Sequence, residues 1–251
     1  MERREFIKTI ATAAAIAALP ASASASTAGE NERTDNKGTG KMKVLLVNGS
    51  PNKNGCTFTA LSEIAAQLQK EGIDSEIYHI GTQAIRPCLA CRACAKLGKC
   101  VLDDGVNGFV DKASEFDGYI LGSPVHYGSA SGVIVPFMDR VFFSAFLSGR
   151  DIFRHKPAAA ITSARRAGTT ATLDQLNKYF QISEMPIISG RYWNMVHGGT
   201  PDEVRQDREG MQNMRILAKN MAYFLKMKQA AEKAGILPPE KEKIEFTNFI
   251  R

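Results

Sequence analysis

The sequence predicts an α/β fold in which helices cover both faces of a parallel sheet. Short apolar segments alternate along the chain with longer segments of helical spacing, and this alternation is typical of a doubly wound sheet. Clusters of Gly, Pro, Asn and Ser follow several of the apolar segments and indicate turns. Residues 42–251, about 210 amino acids, have the length of one such domain.

Five apolar segments are predicted strands. The first is an unbroken Val-Leu-Leu-Val run, which suits a parallel strand covered on both faces. The predicted strands span residues 44–47, 75–80, 117–121, 158–162 and 186–189. Helical spacing predicts helices over residues 57–70, 105–115, 131–146, 170–180 and 201–228. We expect residues 236–251, which include a Pro-Pro pair, to lie extended across the domain or a partner subunit.

The loop after the first predicted strand has the composition of an anion site. Residues 48–55 are Asn-Gly-Ser-Pro-Asn-Lys-Asn-Gly, and a predicted helix starts just beyond them. Backbone N–H groups and the helix dipole favour an anion at such a junction, and Ser50, Lys53, Thr57 and Thr59 add donors. The loop lacks the glycine patterns of dinucleotide and triphosphate sites, so it indicates a mononucleotide such as FMN. An ordinary turn without a ligand is the alternative.

Two further loops follow predicted strands at the same edge of the sheet. Residues 122–132 combine small residues with His126 and Tyr127, which can stack on a planar ligand or hydrogen-bond it. Residues 163–170 contain a pair of arginines, the first of which is Arg165. Open α/β sheets bind ligands beyond the carboxyl ends of their strands, so the three loops predict one shared site.

Four of the five cysteines lie in one short segment. Cys88, Cys91, Cys94 and Cys100 have the spacing C-x2-C-x2-C-x5-C, and thiolates this close together can hold a cubane iron–sulfur cluster. The same four thiols could instead form two disulfides in an oxidising compartment. Zinc is less favoured, because successive two-residue spacings are unusual in tetrahedral zinc sites.

The motifs GSPNKNGCTFTAL, GSPVHYGSASG with FMDR after it, and SARRAGTT carry a family resemblance. They resemble the NADPH-dependent FMN reductase and iron–sulfur flavoprotein branch of the flavodoxin-like superfamily. The resemblance implies a flavodoxin-like three-layer α/β sandwich with five parallel strands in the order 2-1-3-4-5. It also implies an FMN-dependent oxidoreductase that takes electrons from NAD(P)H and reduces a small-molecule acceptor.

The same resemblance assigns residues to the site. Ser50, Lys53, Cys56 and Thr57 would hold the FMN phosphate, although Cys56 stands where many relatives have Asn or Ser. A thiol is a weak donor, so we expect the backbone N–H of Cys56 to carry the contact. The isoalloxazine ring would be lined by Pro124, Val125, His126, Tyr127, Ser163 and Arg165. A [4Fe–4S] cluster that passes electrons to FMN would be held by Cys88, Cys91, Cys94 and Cys100.

The aromatic segment after the last predicted strand has two interpretations. Residues 190–198 contain Trp193, the one tryptophan of the chain. The segment could form the substrate side of the flavin site, because it leaves the same edge of the sheet. A small aromatic cluster packed under a loop is the alternative, and the shared sheet edge favours the functional interpretation.

The N-terminus has the pattern of an export signal. Residues 1–26 run from a charged start through an apolar Ala/Ile stretch to small residues of A-x-A type. Arg3 and Arg4 resemble the twin-arginine signal, which predicts export of the folded protein to the periplasm. Residues 27–41 have little apolar content and are predicted to be a flexible linker. Nicotinamide is scarce outside the cytoplasm, so a redox protein is the alternative donor.

The remaining expectations concern partners. The net charge of +6 comes without a basic run or interleaved aromatic residues, so nucleic-acid binding is not indicated. The apolar stretch of the signal is too short for an ordinary membrane helix, so no membrane span is expected in the mature chain. The resemblance implies a homodimer or homotetramer. Two other interpretations remain open, namely a non-catalytic FMN electron carrier and a structural domain without flavin.

Overall fold

The computed structural model describes residues 41–249 of the 251-residue chain. The predicted signal peptide, residues 1–26, and all of the predicted linker except its last residue lie outside that range. Among the helices of residues 41–249, none combines the length and the hydropathy that a membrane crossing requires.

The sheet has five parallel strands in the order β2-β1-β3-β5-β6, and a two-residue strand, β4, pairs antiparallel with the end of β3. The strands are β1 (Lys43–Asn48), β2 (Asp74–His79), β3 (Gly118–His126), β4 (Ser129–Ala130), β5 (Ala158–Ala164) and β6 (Met195–His197). Counting the parallel strands alone, this is the predicted order 2-1-3-4-5. The predicted flavodoxin-like α/β fold is therefore confirmed.

Helices cover both faces of the sheet. They are α1 (Cys56–Lys70), α2 (Cys94–Leu97), α3 (Val106–Ala113), α4 (Ile134–Leu147), α5 (Thr169–Ile182), α6 (Pro201–Gln206) and α7 (Arg208–Lys233). Alternate residues of β1 belong to two different hydrophobic cores. Leu45 and Val47 pack with α3, α4 and α5 on one face, whereas Val44 and Leu46 pack with α1, α6 and α7 on the other. All four are fully buried, which explains the unbroken apolar run.

The prediction of a strand at residues 186–189 is wrong. That segment touches β5 through a single bridge, between Ala158 and Ile187. The chain then leaves the sheet and returns as β6, whose Val196 pairs with Ser163. Asn213 of α7 holds the intervening loop, because its side-chain oxygen accepts the backbone N–H of Arg191 at 2.8 Å. The edge strand is therefore defined by contacts distant in sequence.

The long helix predicted over residues 201–228 is two helices that meet at Asp207. One carboxylate oxygen of Asp207 accepts the backbone N–H of Gly210 at 2.9 Å and caps the start of α7. The other accepts the N–H of His197 at 2.7 Å, at the end of β6. Asp207 thereby connects the start of α7 to the edge of the sheet. To make both contacts it stands as the cap between α6 and α7, so the helix is interrupted there.

The C-terminal segment, residues 236–249, has no regular secondary structure and is exposed. It meets the α4–α5 side of the domain, where Arg154 donates a hydrogen bond to the carbonyl of Pro239 at 3.3 Å. The tail and these helices line a groove of about 660 Å³ that includes Phe142, Ile244 and Phe246. The expected extended path across the domain agrees with these contacts.

Candidate functional site

The carboxyl ends of the parallel strands bring the predicted loops together at one edge of the sheet. The N–H of Gly49, after β1, donates to the carbonyl of Gly122 in β3 at 2.8 Å. The hydroxyl of Ser131, after β4, donates to the carbonyl of Gly49 at 2.5 Å. At the end of β2, Nε2 of His79 lies 2.9 Å from the carbonyl oxygen of Ser50. The first two predicted loops therefore form one surface.

The first loop is held in shape by its own side chains. The buried Asn48 accepts the N–H of Ser50 at 3.1 Å and donates to the carbonyl of Lys53 at 3.1 Å. The Ser50 hydroxyl accepts the N–H of Asn52, also at 3.1 Å. Lys53 is exposed, so its ammonium is free to approach a ligand. Asn48 was not among the predicted site residues, although Asn directly before a turn is a recognised signal.

The start of α1 leaves donors available for an anion. Gly55 occupies the N-cap position, and no side chain of the described residues caps it. The first turn contains no acidic residue, so the helix dipole is not offset there. The hydroxyls of Thr57 and Ser163 lie 2.9 Å apart and both are buried. This pair brings the first and third predicted loops together beside the helix start.

Cys56 contacts the end of β6 rather than the first loop. Its thiol lies 3.6 Å from the carbonyl oxygen of Gly198, within range of a weak sulfur hydrogen bond. Burial raises the pKa of the Cys56 thiol, so the neutral form is favoured. The backbone N–H of Cys56, in the first turn of α1, therefore remains the group suited to an anion.

A tight hairpin places the second loop at the rim of the site. His126 of β3 pairs with Ser129 of β4, and Tyr127 and Gly128 form the two-residue turn between them. Both turn residues have positive φ, 51° and 76°, as type I′ turns require. The Tyr127 side chain is fully exposed at 109%. Pro124 and Val125 are half-buried below it, so this loop offers a partly apolar wall with an aromatic tip.

The third loop packs directly on the hairpin. Gly168 has φ +93°, and a side-chain carbon added there would lie 2.7 Å from Val125 Cγ1 and 2.9 Å from Gly128 Cα. Arg165 is exposed, and its side chain lies beside Gly199 of the β6–α6 loop. The third loop thus lies between the hairpin and the last strand.

Each predicted flavin-site residue lies on one of these converging loops. A helix start without a side-chain cap, next to buried hydroxyls, suits a phosphate, and the half-buried wall below Tyr127 suits a flat ring. The residues present therefore fit FMN. They are Ser50, Lys53, Cys56, Thr57, Pro124, Val125, His126, Tyr127, Ser163 and Arg165.

The four clustered cysteines lie around one small cavity of about 20 Å³, away from these loops. Cys94 is buried at the start of α2, Cys100 is half-buried, and Cys88 and Cys91 are exposed. Burial raises the pKa of the Cys94 thiol, and the nearby Cys100 and Cys91 sulfurs act in the same direction. Ala90 and Arg92 adopt positive φ angles, 51° and 58°, where the segment turns around the cavity.

The cysteine segment has the donors for a metal but not a completed metal centre. All five cysteines of the chain are free thiols in the structure. Within residues 41–249, no group of three or more His, Cys, Asp and Glu side chains is placed to hold a metal ion. A donor set of four thiols around one cavity suits a soft iron–sulfur cluster, so the residues fit the group.

A buried arginine that was not among the predicted site residues lies against this segment. Arg140 of α4 has a side chain that is 1% exposed, and its Nε and Nη2 both lie 3.4 Å from Cys100 Sγ. It also forms an ion pair with Asp104. Burial opposes ionisation of Asp104, but the Arg140 hydrogen bond and charge outweigh it and lower the pKa of the carboxyl. The pair is therefore charged.

The comparisons with known proteins find a flavin reductase family and iron–sulfur flavoproteins. The family described as NADPH-dependent FMN reductase matches residues 42–200. An iron–sulfur flavoprotein of Methanocaldococcus jannaschii is 32% identical over 193 residues, which cover 74% of this chain and 98% of that protein. An iron–sulfur flavoprotein of Archaeoglobus fulgidus is 30% identical and covers 72% of this chain and 94% of its own length.

Solved structures show the same fold at low sequence identity. A flavone reductase aligns with a TM-score of 0.58 at 18% identity, over 76% of this chain and 65% of its own. A flavodoxin from the domain Archaea aligns with a TM-score of 0.50 at 15% identity, over 74% and 99%. RosB, solved with a bound riboflavin-5'-phosphate derivative, aligns with a TM-score of 0.57 at 13% identity, over 84% and 92%.

The predicted export to the periplasm is wrong. Three relatives are iron–sulfur flavoproteins of archaea, and they match this chain over 94–98% of their own lengths. The family match begins at residue 42, so the predicted twin-arginine signal, residues 1–26, lies outside the matched range as well as outside the described residues. Nothing in these relatives supports a periplasmic location.

Proposed function

This chain belongs to the NADPH-dependent FMN reductase family and is an FMN-binding flavoprotein; we propose that it is an oxidoreductase which takes electrons from NAD(P)H and reduces a small-molecule acceptor. The observation that carries the proposal is the convergence of the strand ends on the uncapped start of α1, where Thr57 and Ser163 meet at 2.9 Å. That arrangement offers one phosphate position and one flat wall at the same edge of the sheet.

The phosphate of FMN would be held by the first loop and by the start of α1. Ser50 and the N–H groups of Cys56 and Thr57 would donate hydrogen bonds, and Lys53 would supply a positive charge at the rim. Ser163 would support this position through its hydroxyl contact with Thr57. These groups are already held by the loop contacts, so little ordering would accompany binding.

The ring of FMN would lie against the hairpin. Pro124, Val125, His126 and Tyr127 would cover one side of it, and Arg165 would supply a positive charge near the ring edge. The bound flavin supplies hydride and electron transfer, and the protein positions it, shields it and tunes it electrostatically. A positive charge beside the ring favours the reduced, anionic flavin.

The cysteine segment would hold an iron–sulfur cluster, with Cys88, Cys91, Cys94 and Cys100 as ligands. The support is the shared cavity, the free thiols and the names of the relatives, which are iron–sulfur flavoproteins. Such a cluster supplies one-electron chemistry. Two disulfides within the segment are the alternative, and they would leave the flavin as the one redox centre.

Anaerobic purification followed by a visible spectrum and by FMN, iron and acid-labile sulfide analysis tests both cofactors. Flavin with four irons and four sulfides per chain supports the cluster, whereas flavin without iron supports the disulfides. In fluorescence titration, Ser163→Ala should weaken FMN binding about tenfold, the equivalent of one hydrogen bond. Ser114→Ala is the control, because its exposed hydroxyl donates to Asp111 at the end of α3. Equal affinities would place the phosphate elsewhere.

Steady-state assays with NADPH, NADH and a reduced low-potential iron–sulfur protein would identify the donor. Turnover with a nicotinamide and none with the protein donor supports the reductase. A non-catalytic electron-transfer protein fed by a redox partner is the second candidate, because the relatives' names specify the two cofactors and no nicotinamide. Such an electron-transfer protein would be reduced by the protein donor and would show no turnover with NADPH or NADH. Inactivity with all three donors contradicts the enzyme.

We further propose that the chain assembles as a homodimer or homotetramer. The support is an exposed apolar surface on α4 and α5, where Phe143, Phe146 and Ile182 are 36%, 49% and 84% exposed. Large contiguous apolar patches on a protein surface mark interaction sites. Sedimentation equilibrium tests the assembly, and a monomer at micromolar concentration would contradict it.

A further inference from the structure

The buried Arg140 commits every one of its donors to the cysteine segment and to the residues that flank it. A guanidinium has five N–H groups. Nε donates to Cys100 Sγ at 3.4 Å, and Nη2 donates to the same sulfur at 3.4 Å and to the carbonyl of Leu102 at 3.1 Å. Nη1 donates to the carbonyl of Arg86 at 3.2 Å and to the carboxylate of Asp104. Two of the five hydrogen bonds therefore end on one cysteine sulfur.

These contacts fix the position of Cys100 Sγ and hold the positive charge of Arg140 beside it. Arg86 precedes the first cysteine and Leu102 follows the last, so Arg140 closes the segment at both ends. The backbone of Cys100 is held independently, because the Asn107 side chain accepts its N–H and donates to its carbonyl, both at 2.9 Å. Cys100 is thus fixed from two sides before any cluster binds. The guanidinium beside it is 1% exposed, so solvent screens its charge little.

The charge of Arg140 is partly balanced by Asp104. The Asp104 side chain is 16% exposed and pairs with Nη1, the nitrogen of the guanidinium that does not touch sulfur. Its other oxygen, Oδ1, is buried and has no hydrogen-bond partner among the described residues. The arginine and the carboxylate therefore act on the sulfur with opposite signs, and the arginine is the group in contact.

We propose that Arg140 is a positioning residue that raises the reduction potential of the cluster in the cysteine segment, and that Asp104 moderates this effect. The inference rests on the proposed cluster. Reduction adds one electron, and hence one negative charge, to the site. N–H donors and a positive charge at a ligand sulfur stabilise that added charge, and hydrogen bonds to cluster sulfurs are a recognised determinant of potential.

The test uses the full chain reconstituted anaerobically with Fe²⁺ and sulfide and titrated with dithionite, the electron donor, while EPR follows the cluster. Arg140→Gln should lower the midpoint potential, with at least a tenfold change in the reduction equilibrium, about 59 mV for a one-electron couple. Asp104→Asn should raise it, because the arginine charge is then uncompensated. Arg215→Gln is the matched control, since that arginine pairs with Glu63 of α1 at 2.6 Å on the other face of the sheet.

Opposite shifts distinguish electrostatic tuning from a structural role, because loosening of the segment would move both variants alike. Unchanged potentials, or shifts of one sign, in variants that retain iron and sulfide would overturn the inference. If Arg140→Gln fails to fold, Asp104→Asn still decides by the sign of its shift: a higher potential supports the inference, and a lower or unchanged potential overturns it. If wild type binds no iron and sulfide, the proposed cluster fails first.

Discussion

The packing of the third loop on the hairpin can be tested with one methyl group. Gly168→Ala places a carbon 2.7 Å from Val125 Cγ1 and 2.9 Å from Gly128 Cα, at φ +93°. Gly128→Ala is the matched control, because its φ of +76° is also left-handed but nothing lies within 4 Å of the added carbon. The two variants share the backbone cost, and one of them adds a clash.

The expected costs follow from these distances. A side chain in the left-handed region costs about 1–2 kcal/mol, and overpacking adds about 1–3 kcal/mol. Alanine also lowers the conformational entropy of the unfolded chain, which raises the free energy of unfolding by about 0.4–1 kcal/mol. We expect Gly168→Ala to lower the free energy of unfolding by about 2–4 kcal/mol and Gly128→Ala to lower it by roughly 1 kcal/mol.

Urea denaturation of the flavin-free protein measures these free energies, and fluorescence titration with FMN measures the affinity. Gly168→Ala should also weaken FMN binding more than Gly128→Ala, because it displaces Val125 of the proposed ring wall. Equal destabilisation of the two variants would refute the described contact between the third loop and the hairpin.

Three further predictions concern the side of the sheet that α3, α4 and α5 cover, and the pH dependence of stability. Phe109→Ala should lower the free energy of unfolding, measured by urea denaturation, by about 3–5 kcal/mol, because the ring is buried and its centroid lies 4.7 Å from that of Phe137. Phe249→Ala, at a residue that is 96% exposed, is the control and should change that free energy by less than about 0.5 kcal/mol. Comparable losses in the two variants would contradict the described packing of Phe109. Thr172→Val should raise stability by roughly 1 kcal/mol, since the buried Thr172 hydroxyl has no partner among the described residues; a loss would reveal a hidden hydrogen bond. Burial raises the pKa of Tyr119 far above its ordinary value of 10, so the unfolded chain loses this proton first as the pH rises. The free energy of unfolding should therefore fall as the pH rises above 10. Tyr119→Phe should flatten that fall, and an unchanged slope would contradict the burial of the Tyr119 hydroxyl.

Much of the fold could be predicted because its signals are local. The buried run of β1 and the turn residues after it are adjacent in sequence, and the order of the loops carried the resemblance. The last strand could not be predicted in the same way. Residues 186–189 are more apolar than β6, yet β6 pairs with β5 because Asn213 and Asp207, distant in sequence, hold the chain there. The break at Asp207 had a local signal, an Asp three residues before a Gly N–H that it caps.

The site shows the same division between local and distant information. The convergence of the loops at one edge of the sheet was predictable, because the carboxyl ends of parallel strands meet there. Arg140 was not selected, because an arginine in a helix is most often a surface residue. Its burial depends on the ends of the cysteine segment folding over α4, which only the tertiary structure reveals.

Helix α4 connects the first loop with the cysteine segment. Its first residue, Ile134, packs against Gly49 of the first loop, and six residues later Arg140 donates two hydrogen bonds to Cys100 of the cysteine segment. At 1.5 Å per residue these points are roughly 9 Å apart along the axis. A helix does not stretch or shorten appreciably, so α4 fixes the distance between the two regions. The spacing between the first loop and the cysteine segment is therefore set by the helix backbone rather than by loops.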